Sequence, residues 1–343
     1  MAYRPPKQSP RRSLTARTML DSKLILGIDT SNYTTSAALC TLEGDVVLNL
    51  KKLLPVAEGE RGLRQSDALF AHTKNLPVIM DGVREFLDRN YPDREIVAVG
   101  YSKTPRDIEG SYMPCFLSGA AVASAVSATL GCQSFAFSHQ SGHIMAALYS
   151  AGRLDFIENG ERFAAFHVSG GTTEILLVTP KADGFSVELV GGTVDINAGQ
   201  AIDRAGVMMG LGFPCGREME SLLADRDIPT VKTRISVRGL ECNLSGLENL
   251  SRSLYEKAGD KATVSAFCFD FVADTLFRLT ENLRAQQGNI PIIYAGGVMN
   301  NKRIGTRLAA VDNTYFSAPE FSSDNAAGIA LLCRKKYIDS LNC

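Results

Sequence analysis

Lys23-Leu-Ile-Leu-Gly-Ile-Asp29 is a short apolar run of strand character that ends in the polar turn Thr30-Ser-Asn-Tyr-Thr-Thr35. A second run, Ser36 to Cys40, follows at once, and Glu43-Gly-Asp45 turns the chain into a third, Val46–Leu50. The same order recurs 140 positions later. Phe163-Ala-Ala-Phe-His-Val168 is the strand, Ser169-Gly-Gly-Thr-Thr173 the turn and Glu174–Val178 the second strand. Lys181-Ala-Asp-Gly184 then turns into a third strand, Phe185–Val190. Two copies of strand, Ser/Thr/Gly turn, strand, turn, strand indicate a duplicated core.

Helical spacing fills the intervals. Ala68–Asp88 carries apolar residues near a 3.6 period, and Ser118–Leu130 is a small-residue helix suited to close packing. Ala198–Met209, Arg217–Asp225 and Thr263–Gln287 follow the second copy, the last with Phe267, Phe271, Leu276 and Leu283 near one face. Pro291-Ile-Ile-Tyr-Ala295 reads as a buried strand running into Gly296-Gly297, and a final helix is expected to start around Ser323-Asp324. Strands alternating with helices predict an α/β protein of two similar lobes, over 23–140 and 141–343, the second with a helical insertion.

The chemistry of such turns is anion binding. A strand-joining turn of Ser, Thr and Gly presents backbone N–H groups and hydroxyls, so two of them facing across a cleft would grip a nucleotide's phosphates. Asp29, at the end of its strand, is placed to hold a cation or order water there. The later Gly turn, Gly296-Gly297, allows close approach of a base or ribose. Each turn alone reads more simply as a structural turn; the three together point to a nucleotide.

At 343 residues the chain exceeds one small module, at roughly 150 residues per domain. Hydrophobic residues make up 45% and charged residues 21%, which excludes wholesale disorder, and no run of 18 apolar residues exists to span a membrane. The net charge of −1 hides an asymmetry: Arg4, Lys7, Arg11, Arg12 and Arg17 stand in the first twenty residues without one acid. Setting those five aside leaves 31 basic against 37 acidic residues, so the body has no global attraction for nucleic acid and any RNA contact needs a partner subunit or a local basic stripe. The arm over 1–22 reads as disordered, or as an extension upstream of a start at Met19. An Arg-rich organellar transit peptide is the alternative; a secretory signal is excluded for want of an apolar core. Eight scattered cysteines without a CxxC pair read as reduced thiols of a cytoplasmic protein.

Only four histidines occur, and two of them, His139 and His143, lie four apart. On a helix that spacing stacks both imidazoles on one face, where they can chelate one metal; a purely structural pair is the alternative. A metal needs a third ligand, for which Asp324 is the candidate, although a residue at a helix start also serves as an N-cap. His72 has no comparable context, and His167, inside a strand, reads as a hydrogen-bonded core histidine.

Gly27-Ile-Asp-Thr-Ser31, His139-x₃-His143, Val168-Ser-Gly-Gly171, Ala198-Gly-Gln-Ala-Ile-Asp203, Ser245-Gly-Leu247, Ala295-Gly-Gly-Val298 and Ser323-Asp-Asn-Ala-Ala327, in that order, resemble the TsaD family. That family makes threonylcarbamoyladenosine in tRNA and was once regarded as a sialoglycoprotein endopeptidase. The resemblance runs from about Lys23 to Tyr337. It implies a duplicated actin- and sugar-kinase-like (ASKHA) fold with two lobes around a nucleotide cleft. It implies one iron or zinc ion on His139, His143 and Asp324, and ATP or threonylcarbamoyl-AMP held by His167, Val168, Ser169, Gly170, Gly171, Asp203, Gly216 and Asn301, with Asp203 on the ribose. Asp29 and Ser169 are the candidate catalytic residues. The implied reaction moves a threonylcarbamoyl group to adenosine 37 of tRNA, with a TsaB-like non-catalytic paralogue and a TsaE-like ATPase as partners.

The chain departs from the family pattern at several places. Asn32-Tyr33-Thr34 replaces an Asp-Glu pair, Ser141 a Glu, Thr104-Pro-Arg-Asp-Ile-Glu-Gly110 a Gly-Pro-Gly loop, Thr172 a His and Glu241-Cys-Asn-Leu244 a Phe-Ser-Phe type run. Other readings therefore stay open: a paralogue acting on another acceptor, a regulatory subunit without turnover, or a carbamoyltransferase or small-molecule kinase using Asp195 or Asp203 as base. A metalloprotease is disfavoured, because position 140 is Gln where its general-base Glu would stand.

Overall fold

The computed structural model describes residues 22–55, 63–182, 184–224, 226–231 and 233–342. The expected arm, apart from Ser22, lies outside these residues, as do Asp183 and Asp225 of the expected turn and helix.

The first strand unit is an antiparallel meander of β1 (Lys23–Thr30), β2 (Thr34–Thr41) and β3 (Val46–Leu53). Then come α1 (Gln65–Asn90), β4 (Glu95–Thr104), α2 (Phe116–Leu130), β5 (Gln133–Ser138), α3 (His139–Ser150) and the single turn α4 (Asp155–Glu158). The second meander is β6 (Phe163–Val168), β7 (Thr173–Lys181) and β8 (Gly184–Thr193). After it follow α5 (Ala198–Met208), α6 (Gly216–Ser221), β9 (Ser236–Arg238), β10 (Glu241–Asn243), α7 (Gly246–Ala258) and α8 (Lys261–Gln287). The chain ends with β11 (Ile292–Ala295), α9 (Lys302–Ala309), β12 (Thr314–Phe316), α10 (Pro319–Ser322) and α11 (Ala327–Leu341).

The duplication is topological. One sheet runs β3-β2-β1-β4-β5, and the other runs β8-β7-β6-β11-β12 with β10 and β9 added beyond β8. In each, the first strand of the meander also pairs in parallel with a later strand, β1 with β4 and β6 with β11. A parallel pair requires a crossover, which α1 supplies in the first sheet and the α5–α8 region in the second.

Strand alternation sorts the side chains into layers. Leu24, Leu26 and Ile28 of β1 pack under α1 and α2, whereas Ile25 faces the opposite way. Likewise Ala164, Phe166 and Val168 of β6 face α5 and α8, while Phe163 and Ala165 face the middle. Burying each such aliphatic side chain contributes roughly 1.5–3 kcal/mol. The middle layer between the sheets is α3 and α11. They approach closely because of glycine: a Cβ at Gly328 would lie 1.8 Å from the Gly142 carbonyl oxygen. That contact brings the start of α3 to the start of α11.

Two expectations need correction. The last helix begins at Ala327, because the short α10 ends at Ser322 and residues 323–326 form a separate link. The helix expected over 217–225 is only Gly216–Ser221. Seven free cysteines occur among the described residues, all buried but Cys132, and no helix there is long and apolar enough to cross a membrane.

Candidate metal and nucleotide site

β5 ends at Ser138, whose Oγ accepts the Ser141 N–H at 3.1 Å and so starts α3 immediately at His139. One turn later stands His143, and the two Nε2 atoms are 3.0 Å apart. Asp324 Oδ1 lies 3.5 Å from His139 Nε2 and 3.2 Å from His143 Nε2. Asp324 makes no helix cap; Asn325 Oδ1 accepts the Ala327 N–H instead, at 3.0 Å. The ligand atoms of His139, His143 and Asp324 all lie within 4.8 Å of one another.

Neighbouring groups orient this trio. Asp29 is fully buried, and its Oδ1 accepts the His139 Nδ1–H at 2.9 Å, which directs Nε2 toward His143 and Asp324. Its Oδ2 is buried with no hydrogen-bond partner. Ser31 Oγ donates to Asp324 Oδ2 at 2.6 Å. His72, fully buried on α1, donates from Nε2 to the Ser31 carbonyl at 2.7 Å and accepts from Thr35 Oγ1 at 2.8 Å. Burial holds His72 below its ordinary pKa, so it is a neutral clamp on the turn. Lys51 Nζ ties β3 to the link before α11 through the Glu320 carbonyl (2.8 Å) and Ser323 Oγ (2.9 Å).

The charges of the trio are tightly coupled. Burial pulls the His139 pKa down, yet Asp29 and Asp324 outweigh it and hold the imidazole well above its ordinary value. Burial likewise raises Asp324, but hydrogen bonds from His139 and His143 keep it well below the usual carboxylate range. Two carboxylates converge here on a pair of imidazoles, one of them with an unpaired buried oxygen. The donor set therefore fits a divalent metal, with neutral imidazoles and one direct carboxylate.

Beside the trio lies the turn of the second meander. His167, half-buried, has its ring 4.8 Å from that of His143, and burial first and then His143 lower its pKa to about 3. Among the described residues no hydrogen bond reaches its ring, so the expectation of a hydrogen-bonded core histidine is corrected: the ring borders the site. Ser169 Oγ accepts the N–H groups of Gly171 and Thr172 at 3.2 and 3.1 Å and shapes the turn. Gly170 and Gly171 face open space. Behind them Gly199 meets Gly170, its N–H donating to the Ser169 carbonyl at 3.1 Å.

Of the other expected nucleotide residues, Gly296 lies nearest the turn. Gly296 (φ +102) abuts the end of β6, where a Cβ would lie 2.3 Å from the Val168 oxygen, and Gly297 faces open space. Asp203 is half-buried, which raises its pKa, and its Oδ1 accepts the Cys215 N–H at 2.7 Å next to Gly216. Asn301 caps α9 through the Ile304 N–H at 3.1 Å. Asp195 is committed elsewhere: its oxygens accept N–H groups of Ile196, Leu244 and Ser245 at 2.6, 2.8 and 3.0 Å, so it is not a free base.

The divergent loop after β4 also lands here. Asp107 Oδ2 accepts from Ser138 Oγ at 2.7 Å and from Ser141 Oγ at 2.6 Å, at the first turn of α3. Arg106 reaches across to Glu174 on β7 and donates to its Oε1. Ser31 belonged to a turn expected to bind phosphate, and no local pattern announced His72, Lys51, Arg106 or Asp107, because their partners are remote in sequence.

Two five-strand sheets of one strand order, each built on a meander, define the actin- and sugar-kinase-like class. A full-length HypF, solved in phosphate- and nucleotide-bound form, matches 92% of this chain at TM-score 0.57 and 12% identity. HypF from T. kodakarensis matches 93% at TM-score 0.53 and 12% identity. The chain spans about half the length of either, 46% and 48%, and at that identity the likeness concerns the fold. The chain belongs to the TsaD family, tRNA N6-adenosine threonylcarbamoyltransferase, whose profile matches residues 60–331. It is thus a transferase of the acyltransferase type. A tRNA N6-adenosine threonylcarbamoyltransferase of Vesicomyosocius okutanii subsp. Calyptogena okutanii (strain HA) is 30% identical over 265 residues, 72% of this chain and 75% of the relative. One from Methanopyrus kandleri is 27% identical over 315 residues, 90% of this chain and 86% of the relative.

Proposed function

We propose that this protein transfers a threonylcarbamoyl group from threonylcarbamoyl-AMP to the N6 amine of adenosine 37 in tRNA. The observation that carries the reading is the convergence of His139, His143 and Asp324 beside the open Ser169–Gly171 turn. His139 and His143 would hold iron or zinc through Nε2 and Asp324 through a carboxylate oxygen. Bound there, the ion would supply positive charge next to the anionic groups of the donor.

The chain's own residues do the positioning. Asp29 fixes the His139 tautomer, and Ser31 fixes the Asp324 carboxylate. The Ser169 hydroxyl keeps the turn open for close approach of the adenylate, and Gly170 and Gly171 remove side chains from that path. Asp203 Oδ1 is bonded to the Cys215 N–H, and its Oδ2 would accept from a ribose hydroxyl. Holding the acyl donor rigidly matters because an exocyclic adenine amine is a poor nucleophile. Contact with tRNA is assigned to partner subunits, a TsaB-like paralogue and a TsaE-like ATPase among them, in a cytoplasmic complex.

A second reading, a family member acting on a different acceptor, is favoured by the rebuilt loop over 104–110. One experiment separates the two: quantify threonylcarbamoyladenosine in tRNA from cells lacking this gene and any second family copy, with and without re-expression. Restoration of the nucleoside supports the proposal; its absence despite soluble, metal-loaded protein leaves the other acceptor.

A further inference from the structure

The loop over 104–110 is tied down by hydrogen bonds on both sides. Asp107 joins it to Ser138 and Ser141 at the start of α3, and the Gln140 N–H donates to the Pro105 carbonyl at 3.0 Å. From the other side, Ser111 Oγ accepts the Arg106 N–H at 3.1 Å, and the Ser111 N–H donates to the Ile108 carbonyl at 3.0 Å. Arg106 is thus held by its own backbone and by its two neighbours in sequence, Pro105 and Asp107, which are bonded to the start of the helix carrying His139.

What this loop presents is a guanidinium on the strand pair that carries His167. Arg106 bonds Glu174, which lies directly opposite His167 in the β6–β7 register. His167 in turn borders His143. Among the described residues Glu174 is the only hydrogen-bond partner of this guanidinium, and it engages one nitrogen, Nη2. The Arg106 side chain remains 37% exposed while that of Glu174 is 16% exposed, so the open side belongs to the arginine. Guanidinium carries five donors in a planar fork matched to a carboxylate, and most of that fork is unused here.

We infer that Arg106 is the residue that recognises the free carboxylate of the acyl group, and so selects an amino-acid-derived carbamoyl donor over a neutral one. This rests on the transferase reading above, whose donor carries a threonine carboxylate. Asp107 is the positioning residue that presents Arg106, and Glu174 keeps the guanidinium turned toward β7 when no ligand is present.

The test is calorimetric titration of metal-loaded protein with three probes: AMP, a non-hydrolysable threonylcarbamoyl-adenylate, and its carboxamide counterpart lacking the negative charge. Wild type is expected to prefer the carboxylate over the carboxamide by roughly 10- to 100-fold, as a charge-assisted fork bond implies. Arg106→Gln should abolish that preference and Arg106→Lys should keep part of it. AMP affinity should be unchanged in both, which also reports that the variants are folded. A preference retained in Arg106→Gln, no preference in wild type, or an equal loss for AMP would overturn the inference. Failure of the underlying reading looks different: wild type then binds neither adenylate nor AMP, and the carboxylate assignment falls with it.

Discussion

Ser31 Oγ lies 2.6 Å from Asp324 Oδ2, a hydrogen bond between residues 293 positions apart that joins the first turn of the fold to the link before its last helix. Asp324 thereby turns its other oxygen toward His139 and His143. Replacing Ser31 by Ala removes a bond to a charged group, at a cost of about 1.5–3 kcal/mol if the carboxylate finds no substitute. Denaturant unfolding of wild type and Ser31→Ala checks this. Equal midpoints would show that Asp324 is held without it.

Metal content is the direct measure of the trio. Purified wild type is expected to carry one equivalent of iron or zinc, and His139→Ala, His143→Ala and Asp324→Asn to carry only background. Asp29→Asn touches no ligand atom of the trio except through His139 Nδ1, so it should weaken metal binding by roughly 10- to 100-fold rather than abolish it. Competition with a chromogenic chelator distinguishes the two outcomes.

The middle layer should be intolerant of a single methyl group. A Cβ at Gly328 would fall 1.8 Å from the Gly142 oxygen and 2.9 Å from the Ala146 nitrogen, so Gly328→Ala must push α11 away from α3. Overpacking of this kind costs about 1–3 kcal/mol. The same shift moves Asp324 from the histidines, so melting temperature and metal affinity should fall together. A lowered melting temperature with unchanged affinity would show that the 323–326 link absorbs the displacement.

His72 predicts a pH signature. Its pKa is lowered by burial, so the unfolded chain binds a proton there more readily than the folded one. The stabilisation it contributes is complete above the unfolded value of about 6.5 and is lost as pH falls through the lower folded value. The stability difference between wild type and His72→Gln should therefore shrink as pH drops below about 6.5 and level off above it. A difference that stays flat from acid to neutral pH would contradict a neutral, doubly hydrogen-bonded His72.

Local pattern made the strand–turn–strand units legible, because alternation and turn residues act between near neighbours. Lys23–Leu50 and Phe163–Val190 read as meanders from their residues, and so they fold. The helical spacing of His139 and His143 was equally plain, since two residues four apart on a helix meet whatever surrounds them. The end of the chain was less legible. The apolar residues after Asp324 do not reveal that Asn325 takes the capping bond and leaves Asp324 outside the helix.

From sequence alone came the duplication, the histidine pair and the family to which they belong, all of them set by short-range stereochemistry and residue order. Only the folded chain decided that Asp29, Ser31, Lys51 and His72 would brace the trio, and that Arg106 would meet Glu174 opposite His167. Those pairings arise where the two sheets close on α3 and α11, with partners separated by up to 293 residues. Packing, not proximity along the chain, selects which of many polar side chains finally touch.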